Sequence, residues 1–260
     1  PTFFFFLRAL KEVNSEVYYF ELTEGNDEFY LDFEKLREEL KKNYDLVILC
    51  NPNNPTGNFV NRKNFKELLN DVNFSSTNFF IDEAFIDFIR NGEDLSFKHF
   101  ESNRVIIIRA FTKFFGIPGL RLGYSICYNK KWVSTANNLK EPWTINTFAA
   151  SCGEILLNSN KYIEKTYKTL EKEKNRMLNG LKKIENIQVF KSESNFLLIK
   201  LMEISGTELY NKLLEKGFLI RRCENFNFLD DSYVRIAIKD KKSNKNFIKA
   251  INKITKNRNV

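Results

Sequence analysis

Arg104-Val-Ile-Ile-Ile-Arg109-Ala-Phe-Thr-Lys113-Phe-Phe-Gly-Ile-Pro-Gly-Leu-Arg121-Leu-Gly-Tyr124-Ser-Ile-Cys127 is the stretch on which the reading of the fold turns. It opens and closes on apolar runs of strand length, Arg104 to Arg109 and Leu122 to Cys127. Runs that are apolar throughout, not on alternate residues, belong to strands covered on both faces, as in a parallel sheet sandwiched by helices. Working outward, Val17 to Leu22, Asp45 to Cys50 and Asn78 to Asp82 read as further strands. Between them lie helix-like segments: Asp32 to Lys42, with Phe33, Leu36 and Leu40 on one stripe, and Arg62 to Val72. The prediction is an α/β fold with a mostly parallel sheet and helices on both of its faces.

Beyond Thr144 the pattern turns helical, and Tyr162 to Ile184 carries Ile163, Leu170, Met177, Leu181 and Ile184 at helical spacings. Short strands (Ile187 to Phe190, Phe196 to Leu201, Phe218 to Arg221, Tyr233 to Ile238) then alternate with helices over Thr207 to Lys216 and Ser243 to Thr255. A large domain over 1–150 and a smaller C-terminal α/β domain over 151–260 are expected.

With 43% hydrophobic and 28% charged residues in 260, the chain is an ordinary globular protein, which excludes collagen-like, coiled-coil and extensively disordered classes. Its longest apolar runs, Phe3 to Leu7 and Leu46 to Cys50, fall far short of the roughly 20 residues that span a bilayer. Phe3 to Leu7 lacks the basic leader and small-residue cleavage site of a secretory signal, so a cytoplasmic location is expected. Cys50, Cys127, Cys152 and Cys223 form no CxxC pair, and His99 is the one histidine, read as a surface residue. Disulfide frameworks, His-rich metal centres and a Ser-His-Asp triad are thereby disfavoured. Lys plus Arg exceed Asp plus Glu by 41 to 33, but Glu164, Glu171, Glu173 and Glu185 interleave with the lysines on a solvated helix face. The charge alone leaves nucleic acid, an acidic membrane surface or small anionic substrates open as partners.

Three segments carry candidate chemistry, each leaving the end of an apolar strand, where ligands bind in open α/β folds. Asn51-Pro-Asn-Asn-Pro-Thr-Gly57 is a loop made rigid by two prolines. Phe79-Phe-Ile-Asp82-Glu-Ala-Phe85 places an acid at a strand end, as a helix cap or as the partner of a buried cation. Lys113 stands among Phe111, Phe114 and Phe115, which would strip its water and favour the neutral, nucleophilic amine; a lysine snorkelling to the surface is the plainer alternative.

In this order and spacing, the three segments resemble the fold-type I pyridoxal-phosphate enzymes of the aspartate-aminotransferase superfamily, over essentially the whole chain. The resemblance implies that Lys113 forms the Schiff base with pyridoxal 5'-phosphate and moves protons at the substrate Cα. It implies that Asp82 keeps the pyridinium nitrogen protonated, Asn54 donates to the phenolic oxygen, Arg121 and Thr112 hold the phosphate, and Phe3 stacks on the ring. Two positions depart from the family pattern: Ala110 stands where many relatives have a hydroxyl residue, and Phe85 where most aminotransferases have tyrosine. The resemblance further implies that the family's N-terminal phosphate loop lies outside these 260 residues. The complete protein is then a homodimer with shared sites, and this chain alone is a weak cofactor binder.

Within the superfamily, Asp82 to Phe88, Thr112 to Tyr124, Pro142-Trp143-Thr-Ile-Asn146 and Leu219-Ile-Arg-Arg-Cys-Glu-Asn225 are most similar to L-threonine-O-3-phosphate decarboxylases of cobalamin synthesis, then to histidinol-phosphate aminotransferases. Arg235 matches the arginine that grips the substrate's carboxylate or phosphate, Arg221 resembles a second anion clamp, and Trp143 is a candidate pocket wall. The partner that the resemblance implies is a phosphorylated amino-acid or amino-alcohol substrate, with neither nucleic acid nor membrane. A non-catalytic, amine-binding descendant is the reading from a different class.

Overall fold

A computed structural model describes residues 5–71 and 76–256 of the chain. Helix α1 (Phe5–Glu12) leads to a short hairpin, β1 (Thr23–Glu24) and β2 (Phe29–Tyr30), and then to α2 (Phe33–Leu40). The predicted strand Val17 to Leu22 is irregular instead, with Tyr18 65% exposed. Strands β3 (Leu46–Cys50), β4 (Asn78–Asp82), β5 (Val105–Ala110) and β6 (Gly123–Cys127) form one sheet in that order, with α3 (Arg62–Asn70) and α4 (Gly92–Leu95) in the connections. β3, β4 and β5 run parallel; β6 returns antiparallel because only α5 (Phe111–Phe114) and a 3-10 turn separate it from β5, too little chain for a crossover.

Burial in this sheet alternates, a departure from the expectation of equal cover on both faces. Phe79, Ile81, Val105 and Ile107 are fully buried, Phe65 of α3 meeting Phe79 edge-on at 5.1 Å, whereas Phe80, Ile106 and Ile108 on the other face are only half-buried. The rest of this part of the chain is α6 (Lys130–Leu139), α7 (Thr147–Leu157) and the start of α8 (Asn160–Leu181). Asn129 and Asn146 cap α6 and α7 by accepting backbone N–H groups of the first turn.

The second sheet is wholly antiparallel, in the order β7 (Ile187–Val189), β8 (Phe196–Leu201), β10 (Tyr233–Ala237), β9 (Arg221–Arg222). On one face Leu197, Ile199, Val234 and Ile236 pack with Met177 and Leu181 of α8, Leu209 and Leu213 of α9 (Gly206–Leu214), and Phe247 and Ile251 of α10 (Lys241–Lys256). The other face holds Leu198, Tyr233 and Phe190, closed by Phe29 of β2, whose ring lies 4.8 Å from that of Phe190.

By packing, the chain forms two compact units that differ from a division at residue 150. One contains residues 5–30, 53–58 and 165–256, the other 31–52 and 59–164. The first unit gathers its distant parts because the β1–β2 hairpin supplies the apolar cover for one face of the antiparallel sheet.

Candidate active site

In the unit built on the parallel strands, Asp82 ends β4 opposite Cys50 of β3. Its Oδ1 accepts the Ala84 N–H at 2.9 Å, and its Oδ2 faces the Cys50 thiol at 3.9 Å. Burial raises its pKa above the ordinary carboxylate value; the Ala84 and Cys50 contacts and the charge of Lys113 oppose that shift without cancelling it. Lys113 follows the next strand, β5, in the single turn of α5. That turn buries Phe111, Thr112 and Phe114 and leaves Lys113 exposed, which corrects the expectation of a desolvated lysine. The aromatic rings turn away from it: Phe111 packs on Tyr124 at 5.6 Å, and Phe114 on Phe88 at 5.3 Å and Tyr162 at 6.3 Å. Arg121 is also exposed, in a left-handed backbone conformation (φ 54°), and its Nη1 donates to the Pro118 carbonyl at 3.0 Å.

In the other unit the 53–58 loop is pinned by its own groups. The Asn53 N–H donates to the Asn58 carbonyl at 2.9 Å, the Gly57 N–H to the Asn53 carbonyl at 2.8 Å, and the Asn53 side-chain amide to Thr56 Oγ1 at 2.7 Å. This is the rigid loop predicted from its prolines. Asn54 is buried, and its Oδ1 accepts a 2.5 Å hydrogen bond from Arg235 Nη1. Arg235 lies over the Phe196 ring at 4.8 Å and stands directly across the strand pair from Arg221. Burial and the positive charge of Arg221 hold the Arg235 pKa below the usual value, against the opposing influence of Cys223. Arg221 is itself held by Asn225 Oδ1 at 2.8 Å and stacked over Phe226 at 5.5 Å. Both arginines occupy the sheet face opposite the helices, since Val234 and Ile236 take the helix side.

Phe3 lies outside the described residues. Trp143 is 94% exposed and His99 is exposed. Sequence reasoning missed a buried ionic cluster: Arg109, 5% exposed, donates through Nε to Glu83 at 3.0 Å and through Nη1 to Glu93 at 2.5 Å. The available signal was a charged residue inside the otherwise apolar run Val105 to Ala110. Burial works against the charge on Arg109, but attraction chiefly to Glu83 outweighs it and raises the pKa.

An acid at a strand end, an exposed primary amine and an exposed guanidinium in one unit are the groups that pyridoxal phosphate requires at its ring nitrogen, its aldehyde and its phosphate, so the residues present fit that group. Among the described residues no helix is long and apolar enough to cross a membrane, and no cluster of His, Cys, Asp or Glu has the makings of a metal site. The histidinol-phosphate aminotransferase structure from Clostridium acetobutylicum is 37% identical, with a TM-score of 0.90 over 97% of this chain and 75% of that one. The L-threonine-O-3-phosphate decarboxylase structure from Porphyromonas gingivalis is 28% identical, with a TM-score of 0.83 over 98% and 74%. A protein of Caldanaerobacter subterraneus subsp. tengcongensis, provisionally named a threonine-phosphate decarboxylase, is 36% identical over 258 residues, 96% of this chain and 68% of that protein. The model of aminotransferase class I and II matches residues 1–251, and the chain belongs to that family.

Proposed function

We propose that the complete protein uses pyridoxal phosphate to decarboxylate L-threonine O-3-phosphate to aminopropanol phosphate, in cobalamin synthesis. The observation that supports this reading best is the Arg221/Arg235 pair, two cations directly opposite in neighbouring strands. Like charges so placed cost the strand pair stability unless an anion joins them. L-Threonine phosphate brings two anionic groups, a carboxylate and a phosphate, to two guanidiniums; histidinol phosphate brings one.

In this reading Lys113 binds the cofactor aldehyde and delivers a proton to the substrate Cα. Asp82 holds a proton on the ring nitrogen. Asn54, whose Oδ1 accepts from Arg235, keeps its amide N–H groups as donors for the phenolic oxygen. Thr112 and Arg121 hold the cofactor phosphate, Phe3 stacks on the ring, and Arg221 with Arg235 orients the substrate. When bound, the cofactor supplies an electron sink for the bond held perpendicular to its ring. The arginine clamp would therefore select the reaction by presenting either the Cα–carboxylate bond or the Cα–H bond to that sink, with Lys113 placed to return or to take the Cα proton. A cytoplasmic homodimer completes the proposal.

The test gives full-length protein L-threonine phosphate and histidinol phosphate separately, while a separate sample is reduced with borohydride to locate the bound cofactor. Carbon dioxide and aminopropanol phosphate from the first, with no keto acid required and the label on Lys113, are expected. Faster conversion of histidinol phosphate, dependent on 2-oxoglutarate, would establish the second reading, which the 37% identity to the Clostridium acetobutylicum aminotransferase favours. Label on another lysine overturns the assignment of Lys113.

A further inference from the structure

Behind the strand ends that carry Asp82, Lys113 and Arg121 lies a polar cluster for which the proposed chemistry has no use. Arg109 shares the buried face of its sheet with Val105 and Ile107, whereas Asp82 pairs with Ile108 on the other face. Its guanidinium instead engages the neighbours of the candidate cofactor residues. Nε donates to Glu83, the residue after Asp82, at 3.0 Å, while Nη1 approaches the hydroxyl of Tyr124, three residues after Arg121, at 3.5 Å. Arg109 itself precedes Lys113 by four positions. One side chain thus ties together β4, β5 and β6 at the ends where the three candidate residues emerge.

The ties are specific. Glu83 is fully buried and also accepts Ser96 Oγ–H and the Phe97 N–H, each at 2.7 Å. Nη1 reaches Glu93 at 2.5 Å and lies 3.8 Å from Asp87, and Lys98 pairs with Glu93 from outside. Such a cluster is a poor device for stability, because buried ions lose hydration and apolar side chains of similar volume often serve as well or better. Here, moreover, Arg109 Nη2 is the one buried side-chain nitrogen or oxygen among the described residues without a hydrogen-bond partner. What apolar packing cannot supply is direction: the fork of a guanidinium fixes the angle between the groups it joins.

We propose that Arg109 is a positioning residue which, with Glu83 and Tyr124, holds Asp82, Lys113 and Arg121 in the geometry required by the cofactor. The inference rests on the cofactor reading above. Its test uses the full-length protein and the variants R109M, R109K and E93A. Three quantities are followed: amide hydrogen exchange without cofactor, the pH midpoint of the bound cofactor's visible absorbance, and kcat with KM.

Folded R109M is expected to exchange faster at residues 82–84, 111–115 and 121–125 together and to move the pH midpoint. Its kcat should fall about ten- to a hundred-fold, as for a small misplacement of reacting groups, with KM nearly constant. R109K, keeping the charge without the fork, should recover part of both effects. If R109M does not fold, E93A, which removes only the outer anchor, should shift exchange and midpoint in the same directions by less. A folded R109M or E93A with the wild-type midpoint overturns the proposal, as does exchange that rises evenly over the whole unit. A wild-type protein that takes no cofactor at Lys113 sinks the cofactor reading instead, and the exchange pattern then still decides whether Arg109 ties the three strand ends.

Discussion

At Asp82 the fold works against the charge that the proposed chemistry needs. Burial raises its pKa above the unfolded value of 3.8, so its contribution to stability is complete below pH 3.8 and is lost as pH rises through the folded pKa. Asn at this position keeps a carbonyl oxygen for the Ala84 N–H and removes the charge. In the cofactor-free chain Asp82→Asn is therefore expected to melt above wild type at pH 7. The gap should close as the pH is lowered toward 3.8. Thermal unfolding at a series of pH values measures this, and a wild type that melts higher at pH 7 would show that its neighbours hold the ionised form. Turnover should move the opposite way, with a severe loss in Asp82→Asn, because a neutral amide cannot keep the ring nitrogen protonated. A carboxylate retained at a net cost to the empty fold is what a cation-binding role demands.

The element that most constrains its own sequence is the 51–58 loop. Gly57 has φ of +73°, and a Cβ built there would lie 2.1 Å from Ser192 Oγ and 2.5 Å from Ser192 Cβ, so both conformation and space require glycine. Gly57→Ala should cost about 2 to 4 kcal/mol, combining the left-handed backbone penalty with overpacking. In a double-mutant cycle by urea unfolding, Ser192→Gly should return the overpacking share and leave the backbone share; strictly additive effects would mean that the loop moves aside. This loop, and the placing of Asp82 at a strand end and of Lys113 and Arg121 in the turn that follows the next strand, were legible in the sequence because each is a local strand-to-turn motif. The antiparallel course of β6, the idle stretch Val17 to Leu22 and the exposure of Lys113 were not. Each depends on a neighbour that local composition does not name: a partner strand, or the side of a single helical turn on which Phe111 and Phe114 find Tyr124, Phe88 and Tyr162. The Arg221/Arg235 opposition was half legible, since the residues could be chosen from motifs but their register comes only from the pairing of β9 with β10.

Considered as a whole, the molecule is divided along lines that cut the chain four times, after residues 30, 52, 58 and 164. A fragment covering 151–260 keeps the antiparallel sheet but loses Phe29, only 4% exposed, from its second face. Removing a buried phenylalanine typically costs about 3 to 5 kcal/mol. The fragment should melt well below the intact chain and regain stability when a synthetic peptide of residues 17–30 is added; a thermal melt unaffected by the peptide would show that the hairpin is dispensable. The same arrangement bears on how the protein is made. Phe29 leaves the ribosome long before β10, and at synthesis rates of roughly 5 to 20 residues per second its partner sheet follows only after about 10 to 40 s. Throughout that interval the hairpin has nothing to fold against, so the nascent chain presents an aromatic segment to chaperones and proteases before it becomes a wall of the finished protein.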